Sequence, residues 1–464
     1  MAEKLKIIPL GGLDEIGKNC TVLEYGKDMI VIDCGVGFPE EDMYGVDLVI
    51  PDFTYLVANQ KKLRGMFITH GHEDHIGSIP YAMRDVNCPI HGTSMKKFVN
   101  GRTVDMTLEY MKNLVAAGVD IFDVDLGCYD NWWLPHPPGS MPPGCFLEVA
   151  RTVKEFFSAN QIRSNAGAEV PVVGVGKLGY PDLAEAALRG RLCDMVMLGR
   201  PLLADPEWPN KAYAGQVEDI RPCIGCQEGC LNEFVEGGHP QCAVNPRTAF
   251  EHVYPAAPPK AEASKRIAVV GAGPAGVVAA VTAAARGHRV TLIEKSGKIG
   301  GRLIPGSVPK IKFDVDNYRL YLERQVKKAE AAHGLTFLTG TEATADWLAD
   351  QRFDAVVVAT GSADVRLDLP GAENANIVQA TDLLMHPELA EGARYVAVIG
   401  GGVVGCETAF WLRQELHKEV KVLEMTPVIM NHTCTANRGH LIHTLHKNGV
   451  ELLNCTRVTG FTPD

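Results

Sequence analysis

No stretch of the chain approaches the roughly 18 uninterrupted apolar residues of a membrane span, and the opening Met1-Ala-Glu-Lys-Leu-Lys6 lacks the apolar core of a secretory signal. These absences exclude membrane and export classes and lead us to expect a cytoplasmic protein. Positive charge is also in short supply. Against 56 Asp and Glu there are 45 Lys and Arg, a net charge of −11, so electrostatics offers no case for broad nucleic-acid binding. Low-complexity tracts are missing. What remains, with 46% apolar and 22% charged residues, is the composition of ordinary globular cores. Cysteine, by contrast, is plentiful. Thirteen are present, an odd number with four clustered, which fits thiols that bind metal in a reducing compartment better than a disulfide framework.

The 464 residues have room for roughly three domains. Residues 1–94 give β-type runs at Lys6–Leu10, Cys20–Tyr25, Met29–Asp33 and Gly65–Thr69 between Gly- and Asp-bearing turns, as in half of an α/β sandwich. From about Lys96 the rhythm changes to strand then helix. Strands are expected at Asp120–Leu126, Val170–Val175 and Asp194–Leu198, and helices at Thr107–Ala117 and Asp182–Arg189. This alternation argues for βα units in a parallel sheet or barrel. A complete (β/α)₈ barrel takes about 250 residues and this segment offers roughly 155, so an incomplete barrel is expected over 95–220. A cysteine segment at 221–250 follows, then a Pro- and Ala-rich linker at 251–265. Two βαβ openings, at Ile267–Glu294 and Val396–Glu424, repeat one nucleotide-binding unit and define domains 266–393 and 394–464.

Cys223, Cys226, Cys230 and Cys242 stand in the pattern C-x2-C-x3-C-x11-C. Three thiolates so close together, with a fourth further on, can wrap a compact inorganic core, and Gly225 and Gly229 let the backbone turn around it. A single zinc more often draws on two separated C-x2-C pairs, so an iron–sulfur cluster is favoured over zinc and over unligated thiols. Gly271-Ala-Gly273-Pro-Ala-Gly276 follows a strand at Arg266–Val270, opens an Ala-rich helix, and is answered by Glu294 at the end of the next strand. This is the full setting of a dinucleotide fingerprint: glycines for close pyrophosphate approach, a helix N-terminus for the anion and a carboxylate for the ribose. A second copy runs Gly400-Gly-Gly402-Val-Val-Gly405 and ends at Glu424, where an acidic residue favours NAD over NADP. His440, His443 and His446 recur every three residues on an expected helix. No carboxylate or Cys stands with them, so they read as a partly exposed helix face.

From about Gly101 onward the chain resembles the old yellow enzyme-related family of iron–sulfur flavoproteins, which includes 2,4-dienoyl-CoA reductase, 2-enoate reductase and trimethylamine dehydrogenase. The resemblance rests on Gly127-Cys-Tyr-Asp-Asn-Trp-Trp133, His136-Pro-Pro, Gly176-Lys-Leu-Gly, Leu198-Gly-Arg-Pro-Leu-Leu-Ala-Asp-Pro206, Cys223-Ile-Gly-Cys, Cys242-Ala-Val-Asn-Pro and both glycine fingerprints. It implies FMN at the top of the barrel, a 4Fe–4S cluster beside it, and FAD and NAD(H) in the C-terminal domains. Gly176, Lys177, Gly199 and Arg200 would then serve the FMN phosphate, since the loops after the last two barrel strands are where such folds bind phosphate. Tyr129, Asp130 and His136 would line the catalytic pocket, with one of them protonating the substrate carbon. The family's proton-donor histidine aligns with Asp130 here. Trp132 and Trp133 read as wall or core residues. The implied partner is a small unsaturated acid or acyl-CoA, with no membrane and no nucleic acid, and an oligomer is allowed.

Thr69-His70-Gly-His72-Glu-Asp74-His75 carries the H-x-H-x-D-H arrangement of the metallo-β-lactamase superfamily, whose imidazoles and carboxylate bind metal, commonly Zn, to activate water. With Pro9-Leu-Gly-Gly-Leu-Asp-Glu-Ile-Gly-Lys-Asn19 and Val31-Ile-Asp-Cys-Gly35 it is similar to the start of ribonuclease J, a likeness that stops near Thr93. The expected fold class is therefore α/β: a partial metallo-β-lactamase sandwich, a partial TIM-type barrel with an iron–sulfur segment, and Rossmann-like FAD/NAD-binding domains. Three functions compete. The first is an NADH-dependent reductase of α,β-unsaturated substrates, the second a metal-dependent ribonuclease, and the third a non-catalytic chimeric fragment.

Overall fold

The computed structural model describes residues 4–13, 15, 17–39, 43, 45–69, 72–92, 103–127, 131–233, 238–373 and 376–462. The chain divides into two compact units, Met1–Met111 and Lys112–Asp464.

In the first unit, strands β1 (Lys6–Gly11), β2 (Cys20–Tyr25), β3 (Asp28–Ile32), β4 (Leu63–Ile68) and β5 (Ile90–Gly92) form one sheet in that order. β1, β2 and β3 pair antiparallel, and β3, β4 and β5 pair parallel. In β2, Cys20, Val22 and Glu24 are buried while Thr21 and Leu23 are half-buried and Tyr25 is exposed, the two-residue period of a strand with one face on the core. Val22, Met29, Val31, Leu56 and Met66 are fully buried in that core. Glu24 is 3% exposed and would be costly there alone. It accepts from the Tyr55 hydroxyl at 2.6 Å and from Lys6 and Lys62 at 2.9 and 3.1 Å.

In the second unit β6 (Phe122–Val124), β7 (Val172–Gly174) and β8 (Met195–Val196) form a parallel three-stranded sheet. They lie within the three strands expected from the sequence, but are shorter at both ends. Helix α1 (Leu147–Ala159), which the sequence reading passed over, buries Leu147, Ala150, Val153 and Phe157 along one stripe. Helix α2 (Pro181–Arg189) begins with proline at its first turn, where the missing N–H costs nothing.

A second parallel sheet has the order β11 (Thr336–Thr339), β10 (Arg289–Glu294), β9 (Arg266–Val270), β12 (Ala355–Val358). Central β9 buries Ile267, Ala268 and Val269 in succession, as a strand covered on both faces does. Helix α3 (Pro274–Ala285) and the long helix α4 (Phe313–His333) pack with this sheet in one core, to which Val244 and Ala204 also belong. A third parallel sheet, β13 (Tyr395–Ile399), β14 (Glu419–Leu423) and β15 (Glu451–Leu453), packs with helices α5 (Val403–Gln414) and α6 (Thr435–Lys447). The repeat read from the sequence is thus two parallel βαβ units. Among the described residues no helix is long and apolar enough to cross a membrane.

Candidate functional site

In the first unit His72 takes the N-cap position of the short helix Glu73–Ile76, which carries Asp74 and His75. His75 Nδ1 donates to Asp33 Oδ2 at 2.8 Å, and its Nε2 lies 3.3 Å from Asp74 Oδ2. Asp33 also accepts from the Thr69 amide and hydroxyl, each at 2.7 Å. His70 lies outside the described residues. Among the described residues no three His, Cys, Asp or Glu side chains close on a position for one metal ion.

The second unit holds a cavity of about 480 Å³ at the ends of the barrel strands. Gly176, Lys177, Gly199, Arg200 and His136 all line it, together with Asp125. Tyr129 and Asp130 lie outside the described residues. The His136 ring lies tilted against Trp132, with ring centres 4.3 Å apart, and its Nδ1 donates to the Trp132 carbonyl at 3.3 Å. Burial above all, aided by the charge of Arg200, draws its pKa below the ordinary value against the opposing pull of that carbonyl. Burial likewise raises the carboxyl of Asp125.

The four clustered cysteines are free thiols lining a second, smaller cavity. Burial pushes Cys226 up to about 11 and raises Cys230 and Cys242 as well. Backbone amides work in the other direction. The Gly225 N–H points at Cys223 Sγ at 3.5 Å, that of Glu228 at Cys226, and those of Val244 and Asn245 at Cys242. Half-buried sulfurs that backbone amides already address suit a cationic core.

The two cavities share Arg200, Leu203, Cys223 and Cys230. Arg200 Nη2 donates to the Pro137 carbonyl at 2.7 Å, while its buried Nη1 meets no acceptor among the described residues. A buried guanidinium nitrogen without a partner fits an anionic group in the cavity. Lys177 differs. Its Nζ donates to the carbonyls of Gly139 and Met141 at 2.7 Å each and to Asp314 Oδ2 at 2.8 Å, which uses all three hydrogens.

Both glycine loops are built alike. Gly271 has φ +104°, and a Cβ there would stand 2.3 Å from the Ala359 carbonyl. A Cβ on Gly276 would stand 1.8 Å from the Gly271 carbonyl, so α3 could not start so close to β9 with a larger residue. Gly273 has open space beside it. Glu294 accepts from the amides of Ala272 and Ser296 at 2.8 Å each. In the second copy Gly400, Gly402 and Gly405 repeat the turn, and Glu424 accepts from Gly401 and Thr426 at 2.8 and 2.7 Å. The Thr426 amide foremost holds the Glu424 carboxyl below the ordinary range.

Sequence reasoning missed three participants. Gln227 is 1% exposed with φ +62°, and its Nε2 donates to the His136 carbonyl at 2.6 Å. Its place between two ligand-type cysteines was the available signal. Asp314, 2% exposed, is reached from Lys177 across 137 positions, and nothing local announces it. Ser140 shares a hydrogen bond of 2.8 Å with His440 Nδ1, and Trp133 stacks on His443 with ring centres 5.4 Å apart. The histidine face of α6 therefore meets the loop after β6 at two of its three positions.

Residues 265–464 match the pyridine nucleotide-disulphide oxidoreductase family, and residues 13–137 match the metallo-beta-lactamase superfamily. The cinnamate reductase of Clostridium sporogenes is 37% identical over 355 residues, which are 76% of this chain and 50% of that protein. The ribonuclease J of a Synechocystis species is 53% identical over 88 residues, 19% of this chain and 14% of that protein. A solved 2-naphthoyl-CoA reductase, in complex with 2-naphthoyl-CoA, superposes with a TM-score of 0.72 at 24% identity, over 100% of this chain and 72% of that one. The chain spans about half the length of the reductase relatives it matches. It thus carries both resemblances read from its sequence, an enoate-reductase type and the N-terminal segment of ribonuclease J. Its fold is α/β, with a metallo-β-lactamase segment, an old-yellow-enzyme-like part and a Rossmann-like nucleotide part.

Proposed function

We propose that the chain is built as an NADH-dependent iron–sulfur flavoprotein reductase, passing electrons from NADH through FAD, a 4Fe–4S cluster and FMN to an α,β-unsaturated acid or acyl thioester. The carrying observation is the wall common to the two cavities. Cys223 and Cys230 line the sulfur cavity and the larger barrel cavity alike, with Arg200 between them. Bound flavins and cluster would supply hydride exchange and single-electron passage, and the residues supply placement.

The amino termini of α3 and α5, opened by Gly271–Gly276 and Gly400–Gly405, would hold pyrophosphates on unpaired N–H groups. Glu294 and Glu424, already fixed by backbone amides, would meet ribose hydroxyls, and the negative charge at Glu424 would disfavour a 2′-phosphate. Cys223, Cys226, Cys230 and Cys242 would hold the cluster. Arg200, with Nη1 free, would receive the FMN phosphate, with Gly176 and Gly199 leaving room for it. His136 keeps a neutral ring near pH 7 and spends Nδ1 on the Trp132 carbonyl, so Nε2 is the atom that would take up and return a proton for the substrate carbon. Tyr129 and Asp130 belong to the same proposed pocket by sequence. Clustered free thiols suit a reducing, cytoplasmic setting.

An anaerobic absorbance spectrum of the purified chain before and after NADH, with iron and zinc assayed on the same sample, tests this. Flavin and cluster bands that bleach with NADH are expected. Zinc in place of iron, or protein without flavin, would overturn the proposal.

A further inference from the structure

Lys177 lines the barrel cavity and stands in the loop where a phosphate-binding fold would place a cation, yet it has nothing left to give a ligand. Its side chain is 6% exposed and its ammonium makes a salt bridge of 2.8 Å to Asp314, whose side chain is 3% exposed. The Gly139 and Met141 carbonyls take the other two hydrogens, and the Nζ sits 4.6 Å from the centre of the Phe313 ring. Asp314 is equally committed, because the Tyr180 hydroxyl donates to Oδ1 while Lys177 donates to Oδ2. The backbone closes in as well. A Cβ on Gly225, in the cysteine segment, would stand 3.3 Å from Asp314 Oδ2 and 2.6 Å from Gly139 Cα. Gly139 in turn donates its N–H to the Gly225 carbonyl at 3.2 Å.

Four pieces of chain therefore meet at one buried ion pair. They are the loop after β7, the segment 139–141 that follows His136, the turn between Cys223 and Cys226, and the first turn of α4 in the nucleotide-binding part. We propose that Lys177 and Asp314 form a buried latch that holds the barrel cavity and the cysteine cavity in register with the dinucleotide-binding sheet, and that Lys177 is a positioning residue and not the phosphate ligand. This inference rests on the flavoprotein reading for its ligand, though the latch is a property of the protein alone. Two charges this deep are tolerable only together: removal of one strands the other, whereas replacement of both by apolar groups of similar size leaves no unpaired charge.

The test compares the affinities of the full-length chain for FMN and for riboflavin, which differ by the phosphate, in the parent and in Lys177→Met, Arg200→Met and the double variant Lys177→Met/Asp314→Leu. Arg200→Met is expected to lower the preference for FMN over riboflavin by about tenfold or more, as loss of a charge-assisted phosphate contact does. Lys177→Met is expected to weaken both flavins together and leave that preference unchanged. The double variant should recover much of the loss. Collapse of the preference in Lys177→Met, with riboflavin binding intact, would make Lys177 a phosphate ligand and overturn the proposal.

Unfolding midpoints of the parent, Lys177→Met, Asp314→Leu and the double variant form a double-mutant cycle that needs no flavin. Each single loss should exceed that of the double variant, and additive losses would refute the latch. A parent chain that binds neither flavin would sink the flavoprotein reading and leave the latch to be decided by the cycle.

Discussion

At the scale of single residues, His440 shows how burial becomes a pH response. Burial foremost, helped by nearby His443 and Lys177, pushes its pKa down to about 4 from 6.5, so the native ring stays neutral where an unfolded one would charge. With a depressed histidine pKa the unfolded chain binds the extra proton first. The associated stability is fully present above pH 6.5 and is lost as pH falls from 6.5 towards 4. Amide exchange in α6, taken relative to its intrinsic rate at each pH, should therefore quicken as the pH falls across that window, and His440→Gln, which cannot charge, should flatten the response. An equal acceleration in the variant would assign the pH effect to another group. The same scale shows how far the histidine stripe was legible: the face is partly exposed, as read, with His440 half-buried and His443 and His446 exposed, but its partners were not in view. A three-residue recurrence shows a common face, but whether that face meets solvent or Trp133 and Ser140 depends on residues 300 positions away.

At the scale of elements, each glycine turn and its acidic partner act as one device. Glu424 does two things: it pins the loop through the Gly401 amide and presents negative charge beyond β14. Glu424→Gln keeps an acceptor oxygen for the loop and removes the charge. The preference for NADH over NADPH should then fall by about tenfold in dissociation constants measured for both nucleotides, since loss of one repulsion of this kind is worth roughly 1.4 kcal/mol. An unchanged ratio would place the nicotinamide elsewhere.

These devices were readable from sequence because their parts are neighbours along the chain. The strand, the glycines, the helix and the carboxylate follow one another within a few turns. The strands of the first unit were readable for a similar reason, since Cys20, Val22 and Glu24 alternate inward over one short run. The turn at Gln227 was not. There a left-handed residue starts the π-helical stretch Glu228–Asn232, and its side chain is held by the His136 carbonyl 91 positions away, a partner that no local propensity announces.

At the scale of the whole molecule, two compact units imply two responses to perturbation. In the first unit Tyr55, then Lys6 and Lys62, hold the Glu24 carboxyl at about 2, well below its ordinary 4.5. A depressed carboxyl pKa contributes stability that is present above pH 4.5 and lost as pH falls towards 2. Exchange protection in β2 and β4 of the full-length chain should decline over that window, and Glu24→Gln should weaken it at neutral pH. Protection in β9 and β10 should not follow Glu24→Gln, because they belong to the other unit. Coincident loss in both would show that the chain unfolds as one body.

The pairing of Lys177 with Asp314 also bears on descent. Neither residue can be exchanged alone without stranding a buried charge, and their separation of 137 positions rules out a local reason to change together. Among relatives sharing this architecture, loss of the acid at the position of Asp314 should coincide with an uncharged residue at the position of Lys177, or with a reversal of the two signs. A lineage keeping the lysine opposite an apolar residue should carry a new acceptor near Gly139 or Gly225. The latch would then be recorded as a covarying pair that joins the history of the barrel to that of the nucleotide-binding domain.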